Sequence, residues 1–316
     1  MQWLYCRHNN SAQRSGIFIF LQFRTAGVVS LFLQLCRKRS GCVLLQVSIW
    51  RHNQTTSVPF PMDRAFDRGH ERPTVTLVVG MAGSGKTSIV TRLKTLHEQG
   101  GESVYTINLD PAVRDTPYNP NIDIRDTVDY NGIRKKYSLG PNGAILTACN
   151  LFATRFDQVL ALCKQRKGEI DEIIVDTPGQ IEIFTWSASG AIVCESLAET
   201  FQTRVLFVVD TVRAKNAQVF LSNMLQCLSI VYKTKLPVVL AFNKIDVISC
   251  KFAQAWLTEV QTLQRELEQS STYAADLTLS LAHTISEFYA KIDCVGISAT
   301  SSEGFLTLKE KLTLAK

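Results

Sequence analysis

Lys86 and Thr87 close an octapeptide, Gly80-Met81-Ala82-Gly83-Ser84-Gly85-Lys86-Thr87, whose residue types and spacing suit phosphate chemistry. Glycines at 80, 83 and 85 let a backbone curl until successive N–H groups converge on phosphate oxygens. A helix opening at Thr87 would add the positive end of its dipole. Lys86 would reach the β- and γ-phosphates, and the Thr87 hydroxyl would ligate Mg²⁺. The expected phosphate-side set is Gly80, Gly83, Ser84, Gly85, Lys86, Thr87 and Ser88.

Three further clusters can do chemistry. In Asp176-Thr177-Pro178-Gly179-Gln180, Asp176 can hold Mg²⁺ through water and the Gly179 N–H can sense a γ-phosphate. Asp-x-x-Gly alone is weak evidence; its distance from the phosphate loop strengthens it. In Asn243-Lys244-Ile245-Asp246, the Asp246 carboxylate matches the paired N1–H and N2–H₂ donors of guanine. Adenine lacks the N2 amine and would leave that carboxylate short of a partner. Asn243 would face the opposite base edge, the Lys244 stem would cover the ring, and Ser298-Ala299 would offer a backbone N–H to the guanine O6. Taken alone, the Asn-Lys-x-Asp tetrapeptide could equally be a solvated turn. Asp110, in Asn108-Leu109-Asp110-Pro111-Ala112, could face the phosphates and position a water, or could serve only as a turn-forming Asp-Pro.

These residues need strands to carry them. Apolar, β-branched runs occur at 75–79, 104–109, 170–175, 205–209, 238–242 and 294–297, with helix-length segments between most of them. Alternation of this kind predicts an α/β fold of the P-loop NTPase class, a mostly parallel sheet flanked by helices. Such sheets bind ligands beyond the carboxyl ends of their strands, where all the clusters above fall. After Asp246 the strand rhythm stops. Phe252, Trp256, Val260, Leu263 and Leu267 recur at helical spacing, as do Leu277, Leu281, Ile285, Phe288 and Ile292. A helical insertion at about 250–292, before the last strand, is expected, with both stripes serving as core.

Charge divides the chain unevenly. Residues 1–62 hold seven Lys/Arg and no acidic residue, while the other 27 Lys/Arg face 28 Asp/Glu. The body is therefore close to neutral, and no nucleic-acid-binding surface is indicated. Apolar runs at 17–23 and 28–36 are interrupted by Gln22, Arg24 and Gln34, too short for a membrane span. Residues 1–73 are expected to be an extension, disordered or outside the working protein, with Met62 as a natural start. A mitochondrial presequence or a poor signal anchor is the alternative reading. The nine cysteines are scattered without a Cys-x-x-Cys pair and are expected to be reduced thiols.

Together with the phosphate loop, Leu109-Asp110-Pro111-Ala112, Asp176-Thr177-Pro178-Gly179-Gln180-Ile181-Glu182 and above all Gly140-Pro141-Asn142 resemble the GPN-loop GTPases. Stretches 121–127, 150–157 and 185–190 are similar to the first eukaryotic paralogue in particular, and the resemblance covers 74–316. It implies a GTPase working as a nucleotide-dependent dimer, with GTP or GDP and Mg²⁺ bound. The Gly140-Pro141-Asn142 loop would enter the partner's site, so that Asn142 acts across the interface. Asp110, Gln180 and Glu182 would organise the hydrolytic water. Eukaryotic members serve assembly and nuclear import of RNA polymerase II; the first paralogue pairs with the third. By that resemblance the chain would be cytoplasmic and shuttle to the nucleus, with the third paralogue or itself as dimer partner, polymerase subunits as clients and no membrane contact. Two departures stand out: the family normally starts near the P-loop strand, and its longer, charged C-terminal tail does not follow Lys316. The residues also leave open a P-loop kinase, for which no acceptor signature is found, and an organelle-targeted GTPase using the extension. From its short, glycine-bounded sequence, 137–143 is predicted to form a tight exposed turn.

Overall fold

The computed structural model describes residues 29–37, 43–51, 73–268, 288–289 and 292–315. The chain divides into two units, residues 1–60 and 61–316. In the first, β1 (Val29–Arg37) pairs antiparallel with β2 (Val43–Arg51), Val29 opposite Arg51 and Arg37 opposite Val43. The 28–36 run thus lies largely in a strand, while the 17–23 run and Met62 lie outside the described residues.

The second unit is built on seven strands, all parallel: β3 (Thr74–Gly80), β4 (Val104–Asn108), β5 (Ile122–Asp123), β6 (Glu172–Asp176), β7 (Gln202–Asp210), β8 (Val238–Asn243) and β9 (Asp293–Ile297). Their order across the sheet is β5-β4-β6-β3-β7-β8-β9. Each expected strand is present. β5, two residues long at the sheet edge, carries no run long enough to announce it. Continuous apolar strands follow from burial on both faces; all but the first residue of β3 and all of β6 and β8 are buried.

Side chains alternate between the two faces. On one, Val78, Leu206, Val208, Val239 and Ile297 pack against Ile89, Val90 and Leu93 of α1 (Lys86–Gln99) and Phe305, Leu308 and Leu312 of α12 (Phe305–Leu314). On the other, Leu77, Val79 and Val205 meet α6 (Ile181–Trp186), α7 (Ala188–Thr200) and α9 (Ala217–Thr234), through Phe184, Cys194 and Ile230. Between β4 and α6 the chain forms α2 (Ile124–Thr127), α3 (Tyr130–Lys136), α4 (Pro141–Ala153) and α5 (Phe156–Gln165). One further turn, α8 (Thr211–Ala214), links β7 to α9.

The start of the expected insertion is helical: α10 (Lys251–Thr258) and α11 (Val260–Glu268) bury Trp256, Leu263 and Leu267. Of the second stripe, Leu277, Leu281 and Ile285 lie outside the described residues. Phe288 is buried, Ile292 is half-buried, and the Tyr289 hydroxyl donates to the Met224 carbonyl at 2.7 Å. Six described cysteines are free thiols, four of them buried.

Candidate nucleotide site

The phosphate loop joins the buried end of β3 to α1. Gly85, the residue before the helix, has φ 93°, and a side chain there would collide with the Asn243 amide, so glycine is required twice over. Lys86 is buried and its ammonium donates to the carbonyls of Gly80 (2.9 Å) and Met81 (3.2 Å). Burial lowers its pKa from the ordinary lysine value, while Asp176 and Asp110 nearby support its charge. The lysine thus bridges the loop's own carbonyls. Thr87 is half-buried and Ser88 exposed on the first turn of α1.

Asp176 ends β6 and is almost fully buried. Its Oδ2 accepts the Tyr118 hydroxyl at 3.0 Å; among the described residues its Oδ1 has no hydrogen-bond partner, nor has the buried Ser84 Oγ. Burial pushes the Asp176 carboxyl up to about 6, and the neighbouring Thr87 hydroxyl and Lys86 ammonium hold it from rising further. Two orphaned oxygens beside a lysine and a Thr hydroxyl fit a phosphate with its Mg²⁺, since buried polar atoms ordinarily find partners. Thr87 and Asp176 are the residues that would hold the metal, Asp176 through water.

Asp110 is half-buried, and the amide of its neighbour Asn108 holds its backbone: Asn108 Oδ1 accepts the Asp110 N–H (3.1 Å), while Asn108 Nδ2 donates to Asp123 (3.1 Å). One Asp110 carboxylate oxygen accepts the Ala112 N–H at 2.9 Å, so the turn-forming role is present, while its field reaches Lys86 and Asp176. Gly179 lies over the phosphate loop; a side chain there would touch Ala82 at 3.5 Å. Gln180, half-buried, precedes α6. Glu182 is exposed on α6 and accepts from Gln226 Nε2 at 3.5 Å, so its carboxylate faces α9.

The base-side residues brace one another more than the sequence suggests. Asn243 Nδ2 donates to the Ser84 carbonyl (2.8 Å) and its Oδ1 accepts the Ala299 N–H (3.2 Å), tying the phosphate loop to the loop after β9. Its expected place on a base edge is thus partly taken by this brace. The N–H groups of Ser298-Ala299, expected to serve the guanine O6, have partners within the chain: the Ser298 N–H goes to the Glu303 carbonyl (3.1 Å) and the Ala299 N–H to Asn243. Lys244, at φ 72°, stretches its ammonium to the Gly83 carbonyl (2.9 Å) and Asp210 Oδ2 (2.7 Å). Asp246 is exposed, and Ser298 Oγ donates to its Oδ1 at 2.6 Å, leaving Oδ2 directed by that anchor and open to a ligand's donors.

The 137–143 segment departs from the predicted turn. Pro141 is the first residue of α4, Asn142 the second and Gly143 the third; Gly140 is extended at φ −66°, ψ 167°. Ser138, not a glycine, adopts the left-handed conformation. Proline suits a first helical position because its missing N–H would have no helical partner there. Asn142 remains exposed.

Three contributors carry no local signal that singles them out. Tyr118 reaches Asp176 from a Pro-Tyr-Asn-Pro stretch. Thr177 donates its hydroxyl to the Val78 carbonyl at 2.7 Å. Arg213 donates to the Ala82 carbonyl at 3.1 Å and pairs with Asp210 at 3.7 Å. A hint existed for Asp210, which ends an apolar strand in a polar residue, as Asn108, Asp176 and Asn243 do.

A family profile described as "Conserved hypothetical ATP binding protein" matches residues 78–315. GPN-loop GTPase 1 of Dictyostelium discoideum is 48% identical over 245 residues, 78% of this chain and 62% of that protein. GPN-loop GTPase QQT2 of Arabidopsis thaliana is 52% identical over 72% of this chain and 60% of its own length. GPN-loop GTPase 1 of Saccharomyces cerevisiae is 45% identical, with 72% and 62% covered. The chain thus spans about three fifths of the length of these relatives. A crystal structure of a GTPase in apo form from Pyrococcus abyssi shares the fold, with a TM-score of 0.68 at 24% identity over 77% of this chain and 97% of that one. With its phosphate loop, its guanine-type tetrapeptide and these matches, the chain belongs to the GPN-loop GTPase family.

Proposed function

We propose that this chain binds GTP with Mg²⁺ and hydrolyses it to GDP and phosphate. The observation that carries the reading is Asp246, an exposed carboxylate anchored by Ser298 Oγ beside the Asn243 brace. Such a fixed carboxylate rewards a base with two adjacent donors and penalises adenine, which supports guanine over the adenine in the family profile's description. Loop amides and Lys86 hold the phosphates. Mg²⁺, held by Thr87 and through water by Asp176, would neutralise charge on the β- and γ-phosphates. Asp110 and Gln180 orient the attacking water; Glu182 joins them only if its contact with Gln226 opens.

The wider role rests on the resemblance in sequence. The chain acts as a dimer with the third paralogue or with itself, Asn142 working across the interface. It assists RNA polymerase II assembly and import while moving between cytoplasm and nucleus. Co-purification of the third paralogue and polymerase subunits from cells supports that role, and their absence removes it.

Phosphate release tests the chemistry. Purified chain with Mg²⁺ should turn over GTP and leave ATP untouched. Lys86→Ala should weaken GTP binding by roughly 10- to 100-fold, the loss of a charged hydrogen-bonding partner. Equal turnover of ATP and GTP would overturn the guanine assignment; GTP turnover surviving in Lys86→Ala would overturn the site.

A further inference from the structure

We infer that Tyr118 is a positioning residue for the metal-side carboxylate: its hydroxyl fixes Asp176 Oδ2 so that Oδ1 stays free for the water shell of a divalent cation. This rests on the proposal that Asp176 serves Mg²⁺.

Tyr118 is 5% exposed, and its ring packs in the core cluster with Val78, Ile89, Val90 and Leu93, between the strand before the phosphate loop and the helix after it. From that socket its hydroxyl donates to Asp176 Oδ2 at 3.0 Å, while Oδ1 is buried and unpartnered. A carboxylate with one occupied oxygen keeps a defined orientation; with neither occupied, it could rotate toward Lys86 or Thr87, which lie beside it. Lys86 donates to loop carbonyls, and the Thr87 hydroxyl, which also supports the carboxylate, would turn to the metal, so Tyr118 is the contact that stays on Asp176.

The segment that presents Tyr118 is itself pinned. Lys94 on α1 donates to the Asn119 carbonyl at 3.0 Å. Asn121 accepts the Thr106 N–H at 2.8 Å and returns its own N–H to the Thr106 carbonyl at 2.8 Å. Arg125 donates to the carbonyls of Val113 and Arg114 and grips Asp123, which holds Asn108. Asp110 opens the same segment. The loop that carries the proposed water-orienting residue is therefore joined to the proposed metal residue twice, by this phenol on its carboxylate and by the Leu109 N–H on its backbone carbonyl at 2.9 Å. A phenol used only to fill the core would not need its hydroxyl on a buried carboxylate whose Oδ1 is left open.

Tyr118→Phe keeps the ring and removes the bond. The readout is release of a fluorescent GDP analogue from the full chain as Mg²⁺ is titrated. In the parent, Mg²⁺ should slow release. In Tyr118→Phe the Mg²⁺ concentration giving half the effect should rise roughly three- to tenfold, the loss expected for one hydrogen bond. GDP affinity in EDTA should stay within about twofold and thermal unfolding within a few degrees, since ring packing is kept. An unchanged Mg²⁺ midpoint makes Tyr118 an ordinary core tyrosine and overturns the inference. So does a parallel loss of EDTA affinity and thermal stability, which marks a structural role. Release that ignores Mg²⁺ already in the parent is a separate result: it removes the metal assignment of Asp176, and the inference with it.

Discussion

At their amino ends, β3, β6 and β7 bury an ion pair whose polar atoms all have partners; near the carboxyl ends, Asp176 at the end of β6 and Ser84 in the loop after β3 bury polar atoms that have none among the described residues. Arg204 Nη2 meets both Glu172 oxygens (2.8 and 2.7 Å), its Nε donates to Thr76 Oγ1 (3.0 Å) and its Nη1 to the Leu312 carbonyl (2.5 Å). Thr74 and Thr76 complete the carboxylate at 2.7 and 2.5 Å. At the other end, Ser84 Oγ and Asp176 Oδ1 stand orphaned and Lys86 bonds only to carbonyls. Among the described residues a third orphan, Gln226 Oε1, lies on α9. The amino end is finished without a ligand and secures α12 to the sheet. The carboxyl end keeps Asp176 Oδ1 and Ser84 Oγ short of partners, which a phosphate and cation would supply. Stability and function are thus separated along the same strands.

Breaking the amino end should have the largest effect. Arg204→Ala strands the buried Glu172 carboxylate and should cost about 3–5 kcal/mol. At roughly 2–4 °C per kcal/mol for a domain of this size, thermal unfolding should fall by about 6–20 °C. GTP affinity measured below that transition should be unchanged. A loss of affinity with little change in unfolding temperature would reverse the assigned roles of the two ends.

The carboxyl end should show its cost through pH. The folded Asp176 carboxyl titrates near 6 against 3.8 for the ordinary group, so the folded state holds that proton more tightly. Stability from this group is full below about pH 4 and is lost as pH rises through about 6, a change of roughly 3 kcal/mol. Urea unfolding of the parent and Asp176→Asn isolates the contribution of this carboxyl. The stability advantage of Asp176→Asn should be larger at pH 7 than at pH 4.5, and an advantage independent of pH would contradict the burial argument.

Asn142 gives the smallest structural effect. It is exposed at the start of α4, so Asn142→Ala should change stability by less than about 0.5 kcal/mol while slowing GTP hydrolysis. Hydrolysis at the parent rate would leave Asn142 as a helix-end residue and remove its proposed action across a dimer.

Much of this contrast is legible in the sequence, unequally at the two ends. The sheet is readable because buried parallel strands must be apolar almost throughout, and the phosphate loop because its glycines and Lys-Thr have fixed spacing. The strand-end residues Asp176 and Asn243 are readable for the same reason. The Arg204–Glu172 pair and the Tyr118–Asp176 bond are not: they join residues 32 and 58 apart, and nothing local to either partner specifies the other. The helical start at Pro141 was within reach, since Pro at a first helical position precedes Ala144, Ile145, Ala148 and Phe152 at helical spacing. The flanking glycines suggested a turn instead. The occupied N–H groups of Ser298 and Ala299 depend on Glu303 and Asn243, and only the folded chain shows them.

The claim that the carboxyl end is a guanine-nucleotide site is tested most directly at Asp246. Titration calorimetry should compare GTP and xanthosine triphosphate on the parent and on Asp246→Asn, with Mg²⁺ present. Replacing the carboxylate by an amide removes an acceptor for both guanine donors and supplies a donor that suits xanthine. GTP affinity should fall at least roughly tenfold, as charged hydrogen bonds are worth about 1.5–3 kcal/mol, and xanthosine triphosphate affinity should rise. GTP binding equal in the two proteins would contradict the assigned pocket and the account built on it.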